Sequence, residues 1–141
     1  MELQMDGAAL KAFMAEHFPQ VADDFRVLAV RPGEITLEMA VGESHLRPGG
    51  TVSGPAMFAL ADVAVYLALL AVIGPKALAV TTNSSMDFLR KPAAGRPLHA
   101  EARILKLGRV LAVGDALIFS EGCAEPVARA SLTYSIPPER K

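Results

Sequence analysis

The sequence predicts an α+β domain in which an antiparallel sheet curls around one long buried helix. Three observations lead there. Residues 56–73 are apolar throughout, apart from one carboxylate, Asp62, and the phenol of Tyr66. Segments with the two-residue period of strands lie on both sides of that run. Glycine- and proline-bearing turns join those segments, short enough for antiparallel neighbours. An all-round apolar helix has to be covered, and a curled sheet covers it while burying its own inner face.

Taken in order, Asp6 to Phe18 reads as a short amphipathic helix. Leu10, Phe13, Met14 and Phe18 recur at helical spacing, Asp6 can cap it, and Pro19 follows. Phe25 to Val30 is apolar enough for a strand, and Arg31-Pro32-Gly33-Glu34 is a turn. Ile35, Leu37, Met39 and Val41 then alternate with Glu34, Thr36, Glu38 and Ala40, so the two segments read as a hairpin. Gly42 to Val52 is a polar, glycine-bearing loop.

The long helix is expected over about 54–74. Ser53 or Gly54 can serve as N-cap, Pro55 suits the first turn, and Gly74-Pro75 is a stop. Six alanines from Ala56 to Ala71 favour helix and allow close packing. About 18 apolar residues is the lower bound for a membrane span. Against a span stand Asp62 in its first half, the modest hydrophobicity of alanine, and the lack of basic clusters at its ends. A helix wrapped by protein is the reading taken, with no membrane partner.

Beyond Pro75, Ala77 to Leu89 is expected as a strand and Lys91 to Gly95 as a turn. Leu98, Ala100, Ala102 and Ile104 mark the next strand, and Leu107-Gly108-Arg109 turns tightly. Val110 to Phe119 is apolar on both faces, as a central strand would be. Ala128, Ala130, Leu132, Tyr134 and Ile136 alternate with polar residues in the last strand. One domain, 1–141, accounts for the chain, with no repeat or linker. One flank of the helix could stay uncovered in a single copy, so a homodimer or a dimer of dimers is expected.

Composition narrows the function. Fourteen basic and 15 acidic residues leave a net charge of −1. No global field therefore calls for nucleic acid, and the absence of tryptophan leaves no aromatic platform for bases. A single cysteine, Cys123, excludes an internal disulfide, and a reducing, cytoplasmic setting is expected. His17, His45 and His99 are scattered without ligand spacing, so no metal is expected. Gly49-Gly50 lacks the spacing of a phosphate loop. Asp62 stands out: a carboxylate in an apolar wall is kept for a partner or for chemistry.

Several stretches resemble a known family. Gly54-Pro55-Ala56-Met57-Phe58-Ala59-Leu60-Ala61-Asp62 and Asn83-Ser84-Ser85-Met86-Asp87-Phe88-Leu89-Arg90-Lys91-Pro92 are similar to motifs of the hotdog-fold acyl-CoA thioesterases, in the phenylacetate-pathway (PaaI-like) branch. Gly95, Leu98, Ala100, Gly108 and Arg109 fit the strands and turns that follow, so the resemblance spans about 25–136. Two departures stand out. Ser53-Gly54-Pro55 replaces the branch's His-Gly-Gly, and Arg47 replaces an Asn or Gln.

The resemblance implies hydrolysis of acyl-CoA thioesters, with coenzyme A as part of the substrate and no separate cofactor. Asp62 would act as base or nucleophile, and the Gly54 amide at the positive helix end would hold the carbonyl oxygen. Ser53 could donate there or simply cap. Thr81, a better match than Thr82, would orient the carboxylate or water from the neighbouring subunit. Phe88, Arg90, Lys91 and Arg109 are candidate substrate-binding residues, the three cations for coenzyme A phosphates. Arg47 could meet the substrate, or pair with Asp62 and silence it. The rival reading is a non-catalytic acyl-CoA or acyl-carrier binder. A hydratase would usually need an Asp–His pair here, and no histidine occurs from Thr51 to Pro75.

Overall fold

Clear punctuation at both ends makes the central helix, α2, Gly54–Ile73. The Ser53 side chain accepts a hydrogen bond from the Ala56 N–H, Pro55 lies in the first turn, and Gly74 ends the helix at φ 90°. In the computed structural model, which describes residues 1–138, the other elements are α1 (Gly7–His17) and six strands. The strands are β1 (Phe25–Arg31), β2 (Glu34–Met39), β3 (Val80–Phe88), β4 (Leu98–Leu107), β5 (Leu111–Ser120) and β6 (Ala128–Ser135). Helix, hairpin, long helix and four strands is the order the sequence predicts. Asp6 caps α1 by accepting from the Ala9 N–H at 2.9 Å.

The strands form one antiparallel sheet in the order β1-β2-β4-β5-β6-β3. Its inner face lies on α2. Leu37, Ala100, Ile118 and Ala128 line up across four strands, all buried, and Phe88 of β3 continues the row. Nearer the other end, Ala112, Tyr134 and Thr81 form a parallel row. Small inner residues let the helix come close. A Cβ on Gly114 would meet Val65 at 2.8 Å and the Arg103 carbonyl at 2.9 Å. By length and composition α2 could cross a membrane, yet 72% of its most apolar window is buried inside the fold.

Three expectations need correction. The strand placed at Ala77 begins only at Val80, because the Ala79 N–H closes a turn onto the Lys76 carbonyl. The loop before α2 is more ordered than its composition suggests. It carries a 3-10 turn at Glu43–His45 and a bridge between Leu46 and Val52. Central β5 is covered on its inner face only: Leu111 and Leu117, on the outer face, are exposed.

One irregularity in β3 controls the site. Tyr134 and Ala128 are six residues apart on β6 and share the inner face. Their partners, Thr81 and Phe88, are seven apart, which in a regular strand would put them on opposite faces. A bulge between Thr81 and Asn83 absorbs the extra residue, Thr82, and both partners face inward.

Candidate active site

Asp62 lies two turns into α2, half-buried, beneath the row that ends in Tyr134 and Thr81. Thr81 donates its hydroxyl to Asp62 Oδ1 at 2.6 Å, and Tyr134 donates to the same oxygen at 2.5 Å. The Tyr134 hydroxyl also lies 2.9 Å from the Asp62 main-chain carbonyl. No described residue donates to Oδ2, and no partnerless side-chain oxygen is sealed away among the described residues. Oδ2 is therefore the open oxygen.

It opens beside a mostly apolar cleft of about 180 Å³. Met14 and Phe18 line it from α1 and its end, with Val21, Val63, Tyr66 and Val80. The rings are locked together. Tyr66 stacks on Tyr134 with centroids 5.8 Å apart, and Phe18 meets Tyr66 edge-on at 5.8 Å. Tyr66 spends its hydroxyl on the Ala77 carbonyl at 2.9 Å. Burial pushes its phenol up to about 12. Tyr134 is pushed up further, first by burial and then by the charge and hydrogen bond of Asp62, so it remains a proton donor.

The structure sorts the sequence candidates. Asp62 and Thr81 come together, but within one chain; the expectation that Thr81 arrives from a neighbouring subunit is corrected. The cause is the bulge, which turns the chain's own Thr81 onto its own helix. Thr82 faces out. Arg47 does not silence Asp62: its loop is exposed, and no cation pairs with Asp62 among the described residues. Ser53 is engaged as the cap. His45 packs away from the site, with Nε2 3.4 Å from Asp24 and Nδ1 accepting from the Gly42 N–H at 2.8 Å.

Gly54 and Asp62 are not adjacent. They are eight residues apart on α2, about 12 Å along its axis. Phe88 sits over Gly54, at the end of β3 away from Thr81. The three cations also part company. Arg90 and Lys91 follow Phe88, and Arg90 already pairs with Glu125 at 3.1 Å. Arg109 belongs to the turn before Leu111, at the Val80 end of the sheet. One chain does not gather them into a single phosphate clamp.

Tyr134 is the site residue that the sequence does not single out. Its signal was present: the one phenol among the inward positions of an otherwise aliphatic strand. Two other places compete for attention. A hollow of about 800 Å³ lies across the sheet's outer face, but each arginine lining it is already paired, Arg31 with Glu34, Arg103 with Asp115 and Arg129 with Asp87. Glu38, His99 and Glu121 bring ligand atoms within 4.8 Å of one another, though Arg26 already holds Glu38 at 3.1 Å.

Comparison with known proteins decides the family. The thioesterase superfamily matches residues 49–127, more than half of the chain, from the loop before α2 to the start of β6. The chain belongs to the thioesterase superfamily. A candidate thioesterase of Silicibacter sp. TM1040 is 61% identical, with 98% of this chain and 96% of that one covered at a TM-score of 0.92. A mutant of the phenylacetic acid degradation protein PaaI of Thermus thermophilus is 32% identical, covering 84% and 99%, at a TM-score of 0.73. A candidate esterase of Pseudomonas aeruginosa is 29% identical over 104 residues, 74% of this chain and 76% of that one. As a superfamily member with a sheet wrapped on α2, the chain has the hotdog fold, and thioester hydrolysis is the general activity of the class it joins.

Proposed function

We propose that this thioesterase-superfamily chain hydrolyses acyl-CoA thioesters, with Asp62 as base or nucleophile. The observation that carries the reading is the carboxylate itself. It is held at Oδ1 by two hydroxyls and left open at Oδ2, beside an apolar cleft that suits an acyl group. The family assignment supports the same chemistry. Coenzyme A enters as part of the substrate, with no further cofactor or metal.

The carbonyl oxygen needs a donor, and the Gly54 amide is suited to it. It is among the first N–H groups of α2, which have no acceptor within the helix, and it sits at the positive end. A thioester at Asp62 cannot also reach the Gly54 of the same helix, about 12 Å away. The donor is therefore the Gly54 of a second copy, and the working unit is a homodimer, alone or paired into a tetramer. β3 suits that assembly: it is the last strand of the sheet, has one neighbour, and is largely exposed. In the dimer, Phe88, Arg90, Lys91 and Arg47 of the second copy would approach the coenzyme A moiety, with Arg109 of the first. The reaction takes place in the cytoplasm, without nucleic acid or membrane.

The test is release of free thiol from a panel of acyl-CoA esters by wild type and by Asp62→Asn. The substitution should lower turnover at least about tenfold without unfolding the protein. Wild-type turnover by the variant would overturn the role of Asp62. One observation favours a binder instead. Ser53 is used up as a cap and Pro55 has no N–H, so the helix entrance offers fewer donors than His-Gly-Gly would. Tight binding of an acyl-CoA with no thiol released over hours would mark that outcome.

A further inference from the structure

We infer that Tyr134 is a positioning residue, which together with Thr81 anchors Asp62 through Oδ1 and makes Oδ2 the oxygen that meets water or substrate. The inference rests on the thioester reading for its reaction, and on geometry of its own for the clasp.

Three features of the geometry converge. Tyr134 and Thr81 are direct partners across the β3–β6 ladder, so their side chains leave the sheet side by side. The bulge at Thr82 turns that pair toward α2. Both hydroxyls then end on one carboxylate oxygen, at 2.6 and 2.5 Å. A carboxylate has about four acceptor sites on two oxygens. Loading two donors on one oxygen fixes the plane of the group and leaves the other oxygen free.

The clasp is stiff. Threonine is branched at Cβ and has few rotamers. Tyr134 is buried and stacked on Tyr66, which Phe18 holds edge-on, so the phenol cannot swing away without disturbing the cleft wall. Tyr66 cannot replace it, because its hydroxyl is already donated to the Ala77 carbonyl. Burial and the charge of Asp62 hold the phenol of Tyr134 in its protonated, donating form. Such an anchor does not bind substrate. It keeps Oδ2 from turning back into the sheet between turnovers, a service expressed in kcat rather than in KM.

The experiment compares wild type, Tyr134→Phe, Thr81→Ala, Thr81→Ser and Asp62→Ala, each checked for folding by circular dichroism. Proton NMR is used to find the slowly exchanging hydroxyl resonance of Tyr134. Hydrolysis of hexanoyl-CoA and benzoyl-CoA is followed by free-thiol release. The resonance should be present in wild type and absent in Tyr134→Phe, and should move or vanish in Asp62→Ala. Tyr134→Phe and Thr81→Ala should each lower kcat roughly ten- to a hundredfold, with KM within about twofold, and Thr81→Ser should restore most of it. A Tyr134→Phe enzyme with wild-type kcat, or one whose loss lies wholly in KM, overturns the inference. If wild type cleaves neither ester, the hydrolase reading fails by itself. The clasp then stands or falls on the resonance, and its persistence unchanged in Asp62→Ala would sink it.

Discussion

The ring of Phe88 closes over the backbone of Gly54, so that a methyl group built on Gly54 would come within 3.3 Å of it. Phe88 is 54% exposed and free to give way, and Gly54 needs no left-handed backbone. Gly54→Ala should therefore change stability by less than about 1 kcal/mol. The methyl would nonetheless crowd the amide assigned to the thioester oxygen. Turnover should fall roughly ten- to a hundredfold while the melting temperature barely moves. Paired melting and thiol-release assays on the purified variant check both halves.

Ser53 is the counter-test at the same helix end. Its Oγ accepts from the Ala56 N–H at 3.2 Å, an ordinary cap. Ser53→Ala should cost about 1 kcal/mol in urea unfolding and change kcat less than Gly54→Ala does. The reverse order of effects on kcat would move the hydroxyl from structure into chemistry.

Gly114 is the tightest point between sheet and helix. An added Cβ would meet Val65 at 2.8 Å and a backbone oxygen, that of Arg103, at 2.9 Å. A carbonyl within a β ladder cannot step aside as a side chain can. Gly114→Ala should destabilise by about 1–3 kcal/mol, read as a lower urea midpoint. Its effect on KM should be small if the protein is assayed well below its melting point.

Stability should also fall at high pH for a nameable reason. Burial raises the Tyr66 phenol from 10.0 to about 12, so between those values the unfolded chain has lost a proton that the folded one keeps. The contribution is fully present below pH 10 and is lost as pH climbs through about 12. Tyr134, shifted in the same direction, extends the loss upward. Urea midpoints measured from pH 9 to 12 should decline in wild type and decline less steeply in Tyr66→Phe. An identical slope in the variant would mean that other groups govern the alkaline limb.

Much of the architecture was legible because it is written locally. Ser53, Pro55 and Gly74 mark both ends of α2, and two-residue alternation marks β2, β4 and β6. Asp62 was legible for a different reason: it is the lone carboxylate in an apolar run, and such a residue requires an explanation. Its partners were not. Tyr134 lies 72 residues away, and Thr81 reaches it through a register that no single strand specifies. Alternation says that Tyr134 points inward, but not which residue it meets. The basic residues misled for a related reason. Arg90 and Arg109 look alike in composition, yet the turns that carry them cap opposite ends of the sheet. The apolar run Ala77, Leu78 and Ala79 reads as the start of β3, although a turn hydrogen bond claims it first.

The spare residue at Thr82 makes this chain unequally tolerant of two kinds of genetic change. Swapping Thr82 for another polar residue alters an outward side chain and little else. Inserting one more residue beside it removes nothing that touches Asp62, yet it adds a step to β3 that the bulge does not absorb, and either Phe88 or Thr81 must then look outward. A lineage could keep every residue named above and still lose the enzyme through three added nucleotides.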